Sequence, residues 1–258
     1  MRYTQEFGKI LNKTEIAKGT FDVILHSPEI AKIAAVGQFV NILCDGFTLR
    51  RPISLCGFNS EKGILRIVFE VRGKGTEWMS RLQVGDDMDI IGPLGHGFGL
   101  LDSSKKAVIV GGGVGTPPLL PVAQFYRENA TVITGFRNAS ASILQDDFAQ
   151  AGTNYILCTD DGSAGIHGLT TQALEQYLNK NTCDIIYTCG PKVMMHGVAR
   201  LAEEHKINCQ VSMEERMGCG VGACLCCVCP TKDDNGNHLT RVCLNGPVFM
   251  STEVDWDA

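Results

Sequence analysis

Four cysteines near the C-terminal end constrain this chain more than any other sequence feature. Cys219, Cys224 and Cys227 follow the pattern C-x4-C-x2-C, and Cys243 comes after 15 intervening residues. Four thiolates at this spacing form the ligand set of a [2Fe–2S] cluster. The glycine-rich spacing between the first two cysteines allows the tight backbone that such a loop requires. The pattern therefore predicts a one-electron centre held by these four thiols.

A polar segment before Cys243 is predicted to turn the chain back toward the other cysteines. The run Asp233-Asp234-Asn235-Gly236-Asn237 contains Asn-Gly, which is a strong hairpin signal. A hairpin here would return the chain and place Cys243 beside the loop.

Two other interpretations of the cysteines stay open. The pairs Cys224/Cys227 and Cys226/Cys229 both have C-x2-C spacing, which also suits structural zinc, although the two pairs overlap in one loop. A disulfide framework is less favoured because the N-terminal sequence from Met1 shows no secretory signal. Cys226 and Cys229 are surplus to a four-ligand cluster; packing or chance accounts for their presence, and alternative ligation by them stays open.

Composition excludes several classes of function. The chain has 258 residues, 44% hydrophobic residues and a net charge of −5, which gives no electrostatic footprint for nucleic acid. No apolar run reaches the length of a membrane span. Twelve cysteines without a signal peptide suggest a reducing cytoplasm and metal ligation. We therefore expect a cytoplasmic protein with neither nucleic-acid nor membrane partners.

The first hundred residues predict an antiparallel β-barrel. Short apolar stretches with partial alternation recur between turns, and only one short helix, Thr76–Leu82, is expected among them. The predicted strands are Thr20–His26, Gln38–Leu43, Ile64–Val71 and Asp86–Gly92.

From about residue 105 the pattern changes to strands that alternate with helices, which predicts a doubly wound parallel sheet. Strands are expected at 107–110, 131–134, 155–158, 184–188 and 207–211, and helices at about 117–125, 143–150, 169–178 and 193–205. The glycine-rich turn after the first strand lies where such sheets bind a pyrophosphate. Its spacing is not G-x-G-x-x-G, and Arg137 stands where an acidic residue would favour NAD, so NAD and NADP both stay open.

The segment Arg50-Arg51-Pro52-Ile53-Ser54 resembles the flavin-binding strand of the ferredoxin-reductase-like flavoproteins. The resemblance implies that Arg51 pairs with the FAD pyrophosphate and that Ser54 hydrogen-bonds the flavin ring. It extends to the loop Gly73-Lys-Gly75-Thr76, whose donors would face a phosphate. The FAD contacts that it implies are Arg51, Pro52, Ile53, Ser54, Val68, Phe69, Glu70, Gly75 and Thr76.

The same family resemblance covers the nicotinamide part of the chain. It rests on the glycine-rich turn and on Cys189-Gly190-Pro191 after the fourth parallel strand. The NAD(H) contacts that it implies are Gly111, Gly112, Gly113, Gly115, Cys189, Gly190 and Pro191. Asp160-Asp161-Gly162-Ser163 would either reach a ribose hydroxyl or form a solvated turn, and both readings stay open.

Taken in order, the three modules resemble the electron-transfer subunits of NAD-dependent type B dihydroorotate dehydrogenases. The motif Met217-Gly-Cys219-Gly-Val-Gly-Ala-Cys224 and the segment Val242–Phe249 add to this resemblance. It implies an oxidoreductase subunit that passes electrons from the FMN of a catalytic subunit through [2Fe–2S] and FAD to NAD+, in a heterotetramer with two subunits of each kind. No catalytic residue is assigned to this chain. The expected domains are 1–100 for FAD, 101–212 for NAD and 213–258 for the cluster.

Two alternative functions remain at this stage. One is the small flavin and iron–sulfur subunit of an NAD(P)H–ferredoxin oxidoreductase or sulfide dehydrogenase, which shares the three modules. The other, from a different class, is a zinc-binding interaction module without redox function.

Overall fold

The computed structural model describes residues 3–233 and 235–258. Met1 and Arg2, and Asp234 of the predicted turn, lie outside the described residues. The chain forms two compact units. One comprises residues 1–97, 214–229 and 239–247, and the other comprises residues 98–213, 230–238 and 248–258.

The first unit contains a closed antiparallel barrel of six strands in the order β1-β2-β5-β4-β3-β6. Alternate side chains of these strands face inward, because successive residues of a strand point to opposite faces. Val23, Leu25, Val40, Ile42 and Leu65 are among the side chains that fill the interior. The strands are β1 Thr4–Ala17, β2 Thr20–His26, β3 Phe39–Leu43, β4 Arg51–Asn59, β5 Ile64–Glu70 and β6 Asp87–Leu94.

Two helices accompany the barrel. A single turn, α1 (Pro28–Ala31), follows β2 and starts with a proline, whose fixed φ suits the first helical position. Helix α2 (Lys74–Arg81) follows β5 and buries Met79 against the barrel interior. The predicted helix at 76–82 is thus present and begins two residues earlier.

The second unit contains a seven-stranded sheet in the order β10-β9-β8-β7-β11-β12-β15. All neighbouring pairs are parallel except β12 with β15. The strands are β7 Ala107–Gly112, β8 Ala130–Phe136, β9 Asn154–Thr159, β10 Ile166–His167, β11 Ile185–Cys189, β12 Asn208–Ser212 and β15 Val248–Met250.

Helices connect the parallel strands of this sheet. They are α3 Leu120–Tyr126, α4 Gln145–Gln150, α5 Thr170–Leu178 and α6 Lys192–Glu204. Short 3-10 turns over Gly113–Gly115 and Pro117–Leu119 precede α3, so the predicted helix begins later than its prolines suggest. The chain moves from β7 to β8 on one side, and β11 lies on the other side of β7. Ligands of doubly wound sheets bind at such a switch point, beyond the carboxyl ends of the strands.

The last forty-five residues contribute to both units. The hairpin β13 (Val228–Asp233) and β14 (Gly236–Arg241) leads into the short helix α7 (Val242–Asn245), which carries Cys243. Strand β15 then pairs with β12 in the large sheet.

The predicted fold class is confirmed: an antiparallel barrel, a parallel sheet and a cysteine-rich C-terminal segment are all present. Sequence reasoning did not identify β1, β10 or the antiparallel β15. The boundaries at 100/101 and 212/213 stay a prediction. None of the helices in the described part of the chain has the length and apolarity that a membrane crossing requires.

Candidate cofactor sites

The four predicted cluster cysteines lie together in the first unit as two pairs. The backbone N–H of Cys224 donates to Sγ of Cys219 at 3.3 Å. The backbone N–H of Cys243 donates to Sγ of Cys227 at 3.4 Å. A [2Fe–2S] cluster has four thiolate ligands shared between two irons, so two adjoining pairs are a suitable donor set. The arrangement therefore fits the predicted cluster.

Backbone donors surround these sulfur atoms. Burial opposes ionisation of Cys219, but N–H groups, led by those of Cys224 and Val221, outweigh it and lower the pKa of Cys219 to about 6. Burial and the adjoining Cys227 thiol raise the pKa of Cys243 to about 12. Donors aimed at ligand sulfurs are one of the ways in which a protein sets the potential of a cluster.

The loop holds its shape through backbone geometry and one guanidinium. Gly220 and Gly222 have φ of 71° and 81°, in the left-handed region that favours glycine. The N–H of Gly222 donates to Sγ of Cys243 at 3.2 Å, and Arg241 donates to the carbonyl of Gly222. The predicted return of the chain therefore does bring Cys243 to the loop.

The two surplus cysteines lie in different surroundings. Cys226 is exposed, whereas Cys229 is fully buried on β13. Among residues 3–233 and 235–258, no three His, Cys, Asp or Glu side chains converge as ligands of a single metal ion. The four predicted cluster cysteines form two adjoining pairs instead.

The two neighbouring arginines of the flavin motif have different partners: Arg50 pairs with a carboxylate, whereas Nη1 of Arg51 donates to the main-chain carbonyls of Leu49 and Arg50. Arg50 forms an ion pair with Asp89 at 2.9 Å, and both side chains are largely buried. Arg51 forms no ion pair among the described residues, and its guanidinium lies 5.2 Å from the ring centroid of Phe47. A Cβ added to Gly75 would overlap this guanidinium. Arg51 thus lies against the first turn of α2, where a phosphate is favoured.

The start of α2 differs in one detail from the expected role of its residues. The Thr76 hydroxyl accepts from the N–H groups of Arg72 and Gly73, at 3.0 and 3.2 Å, and so caps the helix. The first-turn N–H groups and the Nε and Nη2 atoms of Arg51 are donors of the kind that a pyrophosphate requires. These residues fit the predicted FAD.

The remaining flavin residues divide between the two faces of the barrel wall. Ile53 packs toward the interior, so Pro52 and Ser54 face outward. Phe69 lies in the core and stacks on Phe21 with ring centroids 5.7 Å apart, so it could offer only its backbone to a cofactor. Val68 is also buried, and the Glu70 carboxylate pairs with Arg72 at 2.8 Å.

The two predicted nicotinamide segments meet at the switch point. Cys189 pairs with Gly111 across β11 and β7. A Cβ on Gly115 would lie 2.6 Å from both N and Cα of Gly190, and one on Gly112 would lie 2.9 Å from Cδ of Pro191. Only glycine permits this approach. Gly113, with φ of 53°, has open space beside it.

Two threonines at this edge were missed by sequence reasoning. Thr116 and Thr188 are fully buried, and the hydroxyl oxygen of each has no hydrogen-bond partner within the described residues. A buried polar group without a partner is costly, and an absent ligand is one explanation for it. Thr116 directly follows the glycine-rich turn, and this position in the sequence is the signal by which it could have been predicted as a site residue. The hydroxyl groups of Thr116 and Thr188 and the glycine-rich turn fit a bound dinucleotide.

Asp161 lies in the turn that follows β9. Its carboxylate accepts from the N–H and hydroxyl of Ser163 at 2.9 and 2.6 Å, and these hydrogen bonds, first the hydroxyl and then the N–H, lower the pKa of Asp161. The side chain is thus used within its own turn. Arg137, at the end of β8, is exposed.

Comparison with known proteins gives consistent matches. A family profile described as the iron–sulfur cluster binding domain of dihydroorotate dehydrogenase B matches residues 214–255. The electron transfer subunit of dihydroorotate dehydrogenase B (NAD(+)) from Desulforamulus reducens is 35% identical over 255 residues, covering 96% of this chain and 97% of that protein. The Bacillus mycoides protein of the same name is 36% identical over 254 residues, covering 95% and 96%.

Solved structures extend the comparison. A structure of NADH-dependent reduced ferredoxin–NADP oxidoreductase superposes with a TM-score of 0.88 at 32% identity, covering 98% of this chain and 91% of that one. A cytochrome P450 reductase from Amycolatopsis has a TM-score of 0.68 at 22% identity, covering 80% of this chain and 67% of that one, which shows a shared fold alone.

Proposed function

This chain belongs to the family of electron transfer subunits of dihydroorotate dehydrogenase B, and we propose that it carries electrons from the FMN of a catalytic subunit through [2Fe–2S] and FAD to NAD+. The observation that carries this proposal is the pairing of Cys219 with Cys224 and of Cys227 with Cys243. Both pairs lie in the same compact unit as the antiparallel barrel that carries Arg51. A one-electron site and a flavin-type site on one unit are what such a relay requires.

When bound, FAD exchanges electron pairs with a nicotinamide and single electrons with an iron–sulfur cluster, which makes it the adaptor between them. Arg51 and the first turn of α2 would bind the FAD pyrophosphate, because both present donors to the same place. Ser54 and Pro52 would face the flavin from the outer side of β4.

Cys219, Cys224, Cys227 and Cys243 would bind the cluster. The N–H groups of Gly222, Cys224 and Cys243 would keep their sulfur contacts and stabilise negative charge on the ligands. The turn at Gly111, Gly112, Gly113 and Gly115 would bind the dinucleotide together with Cys189, Gly190 and Pro191.

The partner would be a catalytic subunit that contains FMN and oxidises dihydroorotate, in a heterotetramer with two subunits of each kind. Support comes from the names of the relatives, which describe a subunit of a dehydrogenase. Leu225, between two of the cluster cysteines, is 74% exposed and offers an apolar contact for such a partner. A cytoplasmic location is supported by the twelve cysteines, because a reducing compartment keeps thiolate ligands available.

A second candidate is the small subunit of an NAD(P)H–ferredoxin oxidoreductase, favoured by the 0.88 TM-score of the bifurcating enzyme. Anaerobic copurification with the dihydroorotate-oxidising subunit, followed by visible spectra, tests the choice. Dihydroorotate should bleach both the flavin and the iron–sulfur bands. Bands that stay unchanged with dihydroorotate but bleach with NADPH would favour the second candidate.

A further inference from the structure

Asn41, on β3, is buried although it faces away from the barrel interior. Its neighbours Val40 and Ile42 both lie in the core, so the side chain of Asn41 points outward. It is nevertheless 0% exposed. The cluster loop, which is the segment from Cys219 to Cys227, lies in the same unit and covers Asn41. Its Cys219–Gly220 segment contacts the Asn41 amide.

The Asn41 amide lies close to the Cys219–Gly220 segment. Nδ2 of Asn41 lies 3.5 Å from the carbonyl oxygen of Cys219, and a Cβ added to Gly220 would overlap Nδ2. The Oδ1 atom of Asn41 has no hydrogen-bond partner within the described residues. A buried amide that is only half satisfied is unfavourable for the stability of the chain, which points to a role of Asn41 beyond packing.

Asn41 also adjoins the flavin-motif strand. It is directly opposite Pro52 on β4, and directly opposed residues of antiparallel strands present their side chains on the same face. Ser54 lies on this face too, opposite Phe39. The main chain at Asn41 is held by Arg50, whose Nη1 lies 3.3 Å from its carbonyl oxygen.

We propose that Asn41 is a positioning residue that fixes the Cys219 end of the cluster loop against the flavin-motif strand and, through its amide dipole, tunes the reduction potential of the cluster. The inference rests on the proposed function, because it concerns the same cluster and flavin. Hydrogen bonds and charge near the ligands set such potentials, so a change at this amide alters how readily the cluster accepts an electron.

The test compares Asn41→Asp and Asn41→Leu with Asn12→Asp, a matched control at an exposed asparagine of β1. The readout is an anaerobic redox titration of the cofactor-loaded complex, with the cluster followed by EPR and FAD by its visible band. Asn41→Asp adds a negative charge and should make cluster reduction at least tenfold less favourable, about 59 mV for a one-electron couple. Asn41→Leu removes the amide and should shift the potential the same way by less. The same cluster potential in both Asn41 variants as in the control overturns the proposal.

A second measurement covers variants that lose the cluster. When Asn41 is unchanged, Gly220→Ala should strongly reduce the amount of bound cluster. In an Asn41→Ala background, where the overlap is relieved, the same substitution should reduce it less. Equal losses in the two backgrounds would contradict the contact. A wild-type complex that lacks flavin and iron–sulfur bands would instead reject the proposed function, so the two failures are distinguishable.

Discussion

The backbone N–H of Cys243 donates to Sγ of Cys227 at 3.4 Å, although a hairpin separates the two cysteines in sequence. This contact supports the prediction that Cys243 is the fourth ligand of the proposed cluster, and Cys226 is exposed. Replacing Cys224 or Cys243 by serine should abolish the [2Fe–2S] absorbance and EPR signals and most of the bound iron. Cys226→Ser should keep all three.

Cys229→Ser serves as a second control, since this buried thiol lies on β13 and is assigned to packing. We expect it to retain the cluster signals. Loss of the signals in the Cys226 variant would show that a different thiol is the ligand.

Arg51→Gln should weaken FAD binding. The variant removes a guanidinium that lies at the first turn of α2, and a charge-assisted hydrogen bond contributes about 1.5–3 kcal/mol, roughly a 10- to 100-fold change in Kd. Fluorescence titration of the flavin-depleted protein measures the effect. Arg81→Gln, at an exposed ion pair of the same helix, is the control and should bind FAD as the wild type does.

Gly115→Ala should impair binding of NADH and leave both other cofactors in place. The new Cβ would meet backbone atoms of Gly190 and Cys189, which cannot rotate away as a side chain could. We expect a rise in KM for NADH of about tenfold or more, by analogy with the cost of a small misplacement in a binding site. NADH oxidation with an artificial acceptor measures it.

The matched control is Gly57→Ala, where the nearest atom is 3.7 Å from the added Cβ. An unchanged KM in Gly115→Ala would separate the glycine turn from nicotinamide binding. Flavin and cluster spectra of both variants should match those of the wild type.

Leu225→Asp should weaken association with the catalytic subunit. The leucine is exposed beside the cluster cysteines, and a charge placed in an apolar contact costs about 2 kcal/mol, roughly 30-fold in Kd. Light scattering after size-exclusion chromatography reports the assembly. Val84→Asp, at an exposed valine elsewhere on the barrel unit, should leave the complex intact. A normal complex in the Leu225 variant would locate the partner surface elsewhere.

Stability of the sheet unit should fall at alkaline pH because of Tyr155. Burial raises the pKa of this phenol, and a 2.6 Å hydrogen bond with Thr134 opposes the rise in part. Above a pH of about 10 the unfolded tyrosine ionises while the folded one stays protonated, so stability present below that pH is lost as the pH rises through the folded pKa.

Tyr155→Phe should cost about 1 kcal/mol at pH 7.5 through the lost hydrogen bond and should show a smaller loss of stability at pH 10.5. Urea unfolding followed by circular dichroism measures both values. Tyr3→Phe, at an exposed tyrosine, should retain the wild-type pH dependence. Identical alkaline losses in wild type and Tyr155→Phe would contradict the assignment.

Sequence patterns predicted the strands and helices whose hydrophobic periodicity is strong. Strand β2 was predicted with its observed bounds, and α5 and α6 within one residue. Strand β1 was missed because many of its residues are polar and its alternation is interrupted by a bulge after Ile10. Strand β15 was missed because three residues carry too little periodicity, and only the edge of β12 makes them a strand.

The sequence by itself determined which residue types could hold each cofactor: four thiols at a two-iron spacing, an Arg-x-x-Ser strand and a glycine-rich turn. Spacing along a chain has this power because it limits how a loop can wrap around a ligand. Tertiary structure alone decided that Arg50 pairs with Asp89 while Arg51 forms no ion pair with any described residue, that the buried Thr116 and Thr188 hydroxyls have no hydrogen-bond partner in the described part of the chain, and that Asn41 contacts the Cys219 segment. Each of these depends on residues distant in sequence that packing brings together. Neither composition nor periodicity encodes such contacts, because both describe only local order.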